Sequence, residues 1–132
     1  MFTPTREEVR RFFHETWRKR DSVLAGIESM ALDIMLAHPQ YHPILEHPEA
    51  AEELEENPFL HMSLHLALAE QLSIDQPGGI GLRYRKALER TGDVHSALHV
   101  LMSCLEEMLM HAQQEKSPPD PDRYFECLDR MR

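Results

Sequence analysis

The sequence predicts an all-α protein, an antiparallel helical bundle of four main helices plus short additional helices. Apolar residues recur at helical spacing along almost the whole chain. β-branched residues are few, and no stretch alternates strictly between apolar and polar over six or more positions, so we predict no strand. With 132 residues, of which 42% are hydrophobic, the chain has the size and composition of a single helical-bundle domain spanning residues 1–132.

Two helices are predicted in the first third of the chain. The first covers about 5–20, where Thr5 and Glu8 form a capping-box pair. The second covers about 22–37 and is apolar nearly all round, which is typical of a helix enclosed by others. It ends before Pro39, because the residue preceding a proline is pushed out of the helical region.

A glutamate-rich connection separates these helices from the next one. Residues 40–56 predict a solvated loop or a short exposed helix. A third helix is predicted to start at Asn57 and Pro58 and to run to Leu72, because Asn is a good N-cap and Pro is favoured at the first helical position.

The second half of the chain predicts three further helices. A Pro-Gly-Gly loop at 77–79 leads into a short fourth helix that ends at Gly92. Asp93 caps the fifth and longest helix, which reaches about residue 115. A short terminal helix starts at Asp120.

Charge and composition exclude several classes of function. The chain carries 14 Lys and Arg against 23 Asp and Glu, for a formal net charge of −9. An acidic surface argues against binding nucleic acid or anionic membranes. No apolar run is long enough to span a membrane, so we expect a soluble cytoplasmic protein. The two cysteines, Cys104 and Cys127, are too few for a disulfide scaffold, and we expect a small core residue and a semi-exposed thiol.

The positions of the histidines carry the functional signal. His61 and His65 are four residues apart on the third helix, and His95 and His99 have the same spacing on the fifth. Each pair therefore projects from one helix face, about one turn apart. Two imidazoles on adjacent turns can hold one transition metal ion between them. His38 and His42 share the spacing, but the prolines after them prevent a regular helix.

Two carboxylates extend this pattern. Glu28 lies on an apolar line of the second helix, and Glu106 lies on the same line as His95 and His99. A buried carboxylate is unfavourable unless a cation or metal pairs with it. We therefore predict that both carboxylates are buried against the histidines. The candidate metal ligands are His61, His65, His95, His99, Glu28 and Glu106.

These ligands favour a non-haem iron or di-iron centre, with zinc or copper as alternatives. The alternative function is a non-catalytic helical adaptor or homodimer, in which the histidines are buried and hydrogen-bonded as structural core residues. The pattern assigns neither a reaction nor catalytic residues, and it leaves the substrate open.

Several segments also resemble a known family. The segment 57–66 is the most specific, and it is joined by 70–77, 30–34, 38–42 and the pair of His95 and His99. Together they resemble a bacterial family of small proteins called domain of unknown function eighteen forty-one. The resemblance covers nearly the whole chain. It implies a bacterial cytoplasmic protein and carries over no catalytic residue.

Overall fold

The structure, a computed structural model, describes residues 6–49 and 58–131. Within these two ranges the chain is helical and contains no strand, which confirms the all-α prediction. The α-helices are α1 (Arg6–Arg18), α2 (Gly26–Leu36), α3 (His42–Glu46), α4 (Pro58–Ile74), α5 (Ile80–Thr91), α6 (Val94–Glu115) and α7 (Pro121–Arg130). Among these helices, none combines the length and the apolarity that a membrane span needs.

The start of α2 differs most from the predicted bounds. It begins at Gly26, four residues after the predicted start at position 22. Gly26 has a φ of 61°, which is a left-handed conformation. A right-handed helix that started at residue 22 could not continue through this residue. Glycine adopts this conformation without a steric penalty, so an apolar period that continues across it does not extend the helix. The capping residue predicted for α1, Thr5, lies outside the described residues.

The connection after α2 was predicted as a solvated loop or a short exposed helix, and its part up to residue 49 contains two short helices. A 3₁₀ helix covers Pro39–Tyr41, and α3 follows it directly. A proline stands in the first turn of each, where its missing N–H leaves no helical hydrogen bond unmade. Leu45 of α3 is fully buried, so this short helix contributes to the core. Asn57, the predicted N-cap of α4, lies outside the described residues, and α4 begins at Pro58.

The chain divides into two compact units, 1–66 and 67–132. The first unit has a core of aromatic and aliphatic side chains from α1, α2, α3 and the start of α4. These core residues are Phe13, Trp17, Ala31, Met35, Leu45, Phe59, Met62 and Leu66. The prediction that α2 is enclosed by other helices is wrong: only Ala31 and Met35 of α2 are buried.

The second unit is built on α6, with α5 and α7 packed against it. Its connections follow the predicted turn chemistry. Gly79, before α5, has a φ of 101°, and the Asp75 carboxylate accepts a hydrogen bond from the Gly81 amide at 2.9 Å. The hydrogen bonds from the Gly81 and Gly79 amides lower the pKa of Asp75. Asp93 caps α6 as predicted, with its carboxylate accepting from the Ser96 amide at 2.8 Å.

A disulfide joins α6 to α7, between Cys104 and Cys127. The expectation of two unbridged cysteines is therefore wrong. Their Cα atoms lie 5.6 Å apart, within the ordinary range for a disulfide. Their separation of 23 in the sequence gives no sign of this proximity, which arises because α7 packs against α6.

The arrangement as one antiparallel bundle of four main helices stays a prediction. So does the assignment of residues 1–132 to a single domain. Each unit separately has its own buried side chains from at least three helices.

Candidate metal centre

Three histidines come together in the first unit. His61 and His65 project from adjacent turns of α4, and His38 lies just beyond the end of α2. The ring centroids of His38 and His61 are 5.1 Å apart, those of His38 and His65 are 4.9 Å apart, and those of His61 and His65 are 4.8 Å apart. Each ring offers a ligand nitrogen, and these nitrogens lie within 4.8 Å of one another. The three side chains are thus close enough to share one ion.

The backbone fixes the orientation of the His38 ring. Its Nδ1 lies 2.7 Å from the carbonyl oxygen of Ile34. A carbonyl oxygen only accepts, so Nδ1 carries the hydrogen, and Nε2 of the neutral ring carries the lone pair. The ring also stacks on Tyr41, with the planes 3° apart and the centroids 5.4 Å apart. Metal-binding histidines are usually held in this way, through the nitrogen that does not face the metal.

The three histidines are largely removed from solvent. His38 is 2% exposed and His65 is 5% exposed, whereas His61 is half-buried. The Nε2 atoms of His38 and His65 are buried. A metal ion binds the lone pair of an imidazole nitrogen, so these buried rings place their donor atoms away from competing water.

The distances between the histidine nitrogens suit a transition metal ion once the imidazole rings move slightly toward one another. Zinc binds imidazole nitrogen at about 2.0–2.1 Å, which sets tetrahedral ligand atoms about 3.3 Å apart. Ligand atoms within 4.8 Å of one another reach this spacing when their rings move inward by about 1 Å. Rotation about the side-chain bonds supplies a movement of that size.

The second predicted pair lies on α6, in the second unit. His95 and His99 have ring centroids 4.1 Å apart, so they share one helix face as the spacing predicted. His95 is exposed, and His99 is half-buried with a buried Nε2. The two pairs therefore have the same spacing and different degrees of burial.

The predicted burial of the two carboxylates against the histidines is not observed. Glu106 is exposed on α6, so the prediction of its burial is wrong. Glu28 is half-buried, and its carboxylate lies 2.6 Å from Nζ of Lys19. Lys19 is therefore the cation that pairs with the Glu28 carboxylate, where a metal ion was predicted. The apolar line on which each glutamate lies did not identify the buried face of its helix.

His38 is the residue that sequence reasoning missed. No regular helix runs from His38 to His42, as predicted, because His38 has a non-helical φ of −125° and a 3₁₀ helix follows it; Pro43, in contrast, stands in the first turn of α3. A histidine can be a metal ligand without being part of a helix. Here the turn at Pro39 directs the His38 ring toward His61 and His65. His42 has another role, since its Nε2 donates to the carbonyl of Met35 at 2.8 Å.

The comparisons with known proteins give a family and no further relative. No curated protein and no solved structure matches the chain. One family model matches residues 5–130, which is nearly the full length, and confirms the resemblance found in the sequence. The chain belongs to the family described as Domain of unknown function (DUF1841).

Proposed function

We propose that this protein binds a transition metal ion through His38, His61 and His65. One observation carries the proposal: three buried or half-buried imidazoles from two helix regions present ligand nitrogens within 4.8 Å of one another. The Nδ1–H of His38 donates to Ile34, which supports the same function because it leaves Nε2 as the nitrogen available to a metal.

The donor set narrows the choice of metal. An imidazole-only site suits zinc, copper or iron. Helical di-iron centres are built on several inward carboxylates, and here Glu106 is exposed while Glu28 pairs with Lys19. We therefore favour a mononuclear centre over the di-iron centre.

A tetrahedral metal ion bound by three histidines has one coordination position left. A fourth protein ligand would fill that position, and without one a water or another small molecule could bind there. That His95 and His99 join His61 and His65 at one ion stays a prediction from the sequence; on α6, His99 is half-buried and His95 is exposed. No reaction follows from these residues alone.

The test is metal analysis of protein purified without a histidine tag, followed by thermal unfolding with and without chelator. A metal present at 100 times its Kd stabilises the folded state by about 2.7 kcal/mol, so chelator should lower the Tm measurably. His61→Ala and His65→Ala should abolish this response.

His47→Ala is the matched control, because the His47 side chain is 78% exposed and lies in the same unit. It should bind metal like the parent protein. A metal content equal to that of the blank, with a Tm that does not respond to chelator or to added Zn²⁺, would contradict the proposal and leave the histidines as core residues.

A second candidate function is a helical adaptor or homodimer. Its support is the exposure of large apolar side chains in the first unit: Val23 is fully exposed, Ile27 is 46% exposed and Leu36 is 54% exposed. Where exposed apolar side chains form one contiguous patch, the patch marks a surface for a partner. Sedimentation of the parent protein and of Ile27→Glu tests it, with Leu82→Glu of the second unit as the control. A parent protein that stays monomeric at high concentration contradicts the homodimer.

A further inference from the structure

Three sulfur atoms lie together in the second unit. Cys104 of α6 and Cys127 of α7 are bonded, and Sδ of Met131 lies 3.4 Å from Sγ of Cys104. Cys104 is fully buried and Cys127 is 8% exposed. Met131 is the residue that follows α7, and it is half-buried. The position of the thioether therefore depends on the docking of α7 on α6.

These atoms form a soft donor set once the disulfide is reduced. Thiolate and thioether sulfur select monovalent copper over harder ions such as magnesium or calcium. Two thiolates and one thioether can surround a three-coordinate ion, and all three sulfurs here come from one small region of the fold. Cys104 is fully buried and Cys127 nearly so, which keeps water away from an ion bound between them.

We propose that the reduced form of this protein binds one monovalent copper ion through Cys104, Cys127 and Met131. The site is independent of the histidine centre, since it uses none of the same residues. The disulfide form has no thiolate to offer, so the oxidation state of the cysteine pair controls whether the site exists.

The chemistry balances with a thiol reductant. Two reductant thiols become one disulfide, and their two electrons and two protons convert the Cys104–Cys127 disulfide into two thiols. Binding of the copper ion then releases both thiol protons, and two Cu–S bonds to thiolate and one to the Met131 thioether form. Glu107 is suitably placed to accept the proton of Cys127, because its Oε2 lies 3.1 Å from the Cys127 sulfur.

A cytoplasmic location would favour the reduced form, since disulfides rarely persist there. An oxidising compartment would keep the disulfide and the closed site. The cysteine pair is thus suited to binding copper under reducing conditions. In the reverse step a small-molecule disulfide takes two electrons from the Cys104 and Cys127 thiolates and becomes two thiolates, so that the protein disulfide re-forms and the monovalent copper ion is released.

The test is an anaerobic titration with monovalent copper in competition with a chromophoric chelator, on the full chain in both oxidation states. The reduced protein should bind one copper equivalent more than the disulfide form. The histidines are the same in both states, so the difference reports the sulfur site alone. No difference between the two states would overturn the proposal.

Two variants assign the ligands. Met131→Leu should weaken the additional copper equivalent by at least about tenfold, in line with the loss of a supporting metal contact. The control is Met110→Leu, because Met110 is 52% exposed on α6 and should have no effect. Cys127→Ser should remove the additional equivalent completely. If Met131→Leu binds as tightly as Met110→Leu, the three-sulfur assignment is wrong.

Discussion

The helices α4 and α6 carry the same histidine spacing and use it differently. In α4, His65 is buried and joins His61 and His38 in a cluster. In α6, His95 is exposed at the start of the helix. Both pairs share a face, as a separation of four residues requires, yet only the α4 pair contains a histidine that is almost fully buried.

The two helices show what the spacing of histidines in a sequence predicts and what it does not. A separation of four residues determines that two side chains are neighbours on one helix. Whether their face is buried depends on what packs there, and α6 instead buries Cys104 and Leu105. The α6 helix is also bonded covalently to α7, whereas the end of α4 contacts α7 through a hydrogen bond between Gln71 and Tyr124.

The largest expected effect concerns the covalent tie of α6. Cys104→Ser with Cys127→Ser should lower the free energy of unfolding by about 3 kcal/mol, because a cross-link across 23 positions restricts the unfolded chain. Urea denaturation of the oxidised proteins measures the loss. The parent protein should respond to reductant and the double variant should not. Equal stability of the two oxidised proteins would contradict the prediction.

The two histidine pairs should differ in their contribution to stability. His65→Ala removes a side chain that is 5% exposed and packs against the rings of His38 and His61, and should cost about 1–3 kcal/mol. His95→Ala changes an exposed side chain and should stay within about 0.5 kcal/mol of the parent. Chemical denaturation in the presence of chelator makes the comparison independent of metal. Similar costs at both positions would show that burial does not separate the pairs.

The far end of α4 provides a third test. Tyr124 is fully buried, and its hydroxyl donates to Oε1 of Gln71 at 3.0 Å. Tyr124→Phe should cost about 0.5–1.5 kcal/mol at neutral pH, from the loss of one hydrogen bond. Unfolding followed by circular dichroism measures it. Gln71→Ala should give a related loss that is not additive with the first.

The same tyrosine predicts the behaviour at alkaline pH. Burial raises the pKa of Tyr124 above its ordinary value of 10.0. The folded state therefore disfavours the ionised form, so the stability from this group is complete below the unfolded pKa and is lost as the pH rises above about 10. Tyr124→Phe should remove this part of the alkaline decline. An identical decline in both proteins would contradict it.

The smallest effect concerns the cap of α6. Hydrogen bonds from the Ser96 side chain and backbone amide lower the pKa of Asp93 below its ordinary value of 3.8. The ionised carboxylate stabilises the fold fully above that ordinary value, and the contribution is lost as the pH falls through the lower value of the folded state. Asp93→Asn should keep the cap and flatten this acid dependence, since Asn is also a good N-cap. Melting curves across acidic pH test it against Asp93→Ala, which should lower stability at neutral pH as well.

Particular residues show how much of the candidate site could be predicted. His61 and His65 could be chosen because a fixed spacing on a predicted helix places them together. Glu106 was chosen by the same reasoning and is exposed, because a helix such as α6 has more than one line of apolar residues. His38 could not be chosen, since the direction of its ring depends on a turn at Pro39 and on a carbonyl of the preceding helix.

The sequence by itself determined the helical class, most helix ends, the Asp93 cap and the family. These features depend on interactions within a few residues, such as the helical period, proline geometry and capping, or on the pattern of the whole chain. Only the tertiary structure decided which helix face is buried, that His38 joins His61 and His65, and that Cys104 meets Cys127. The physical reason is that these contacts join segments distant in sequence, and their geometry is set by packing between helices.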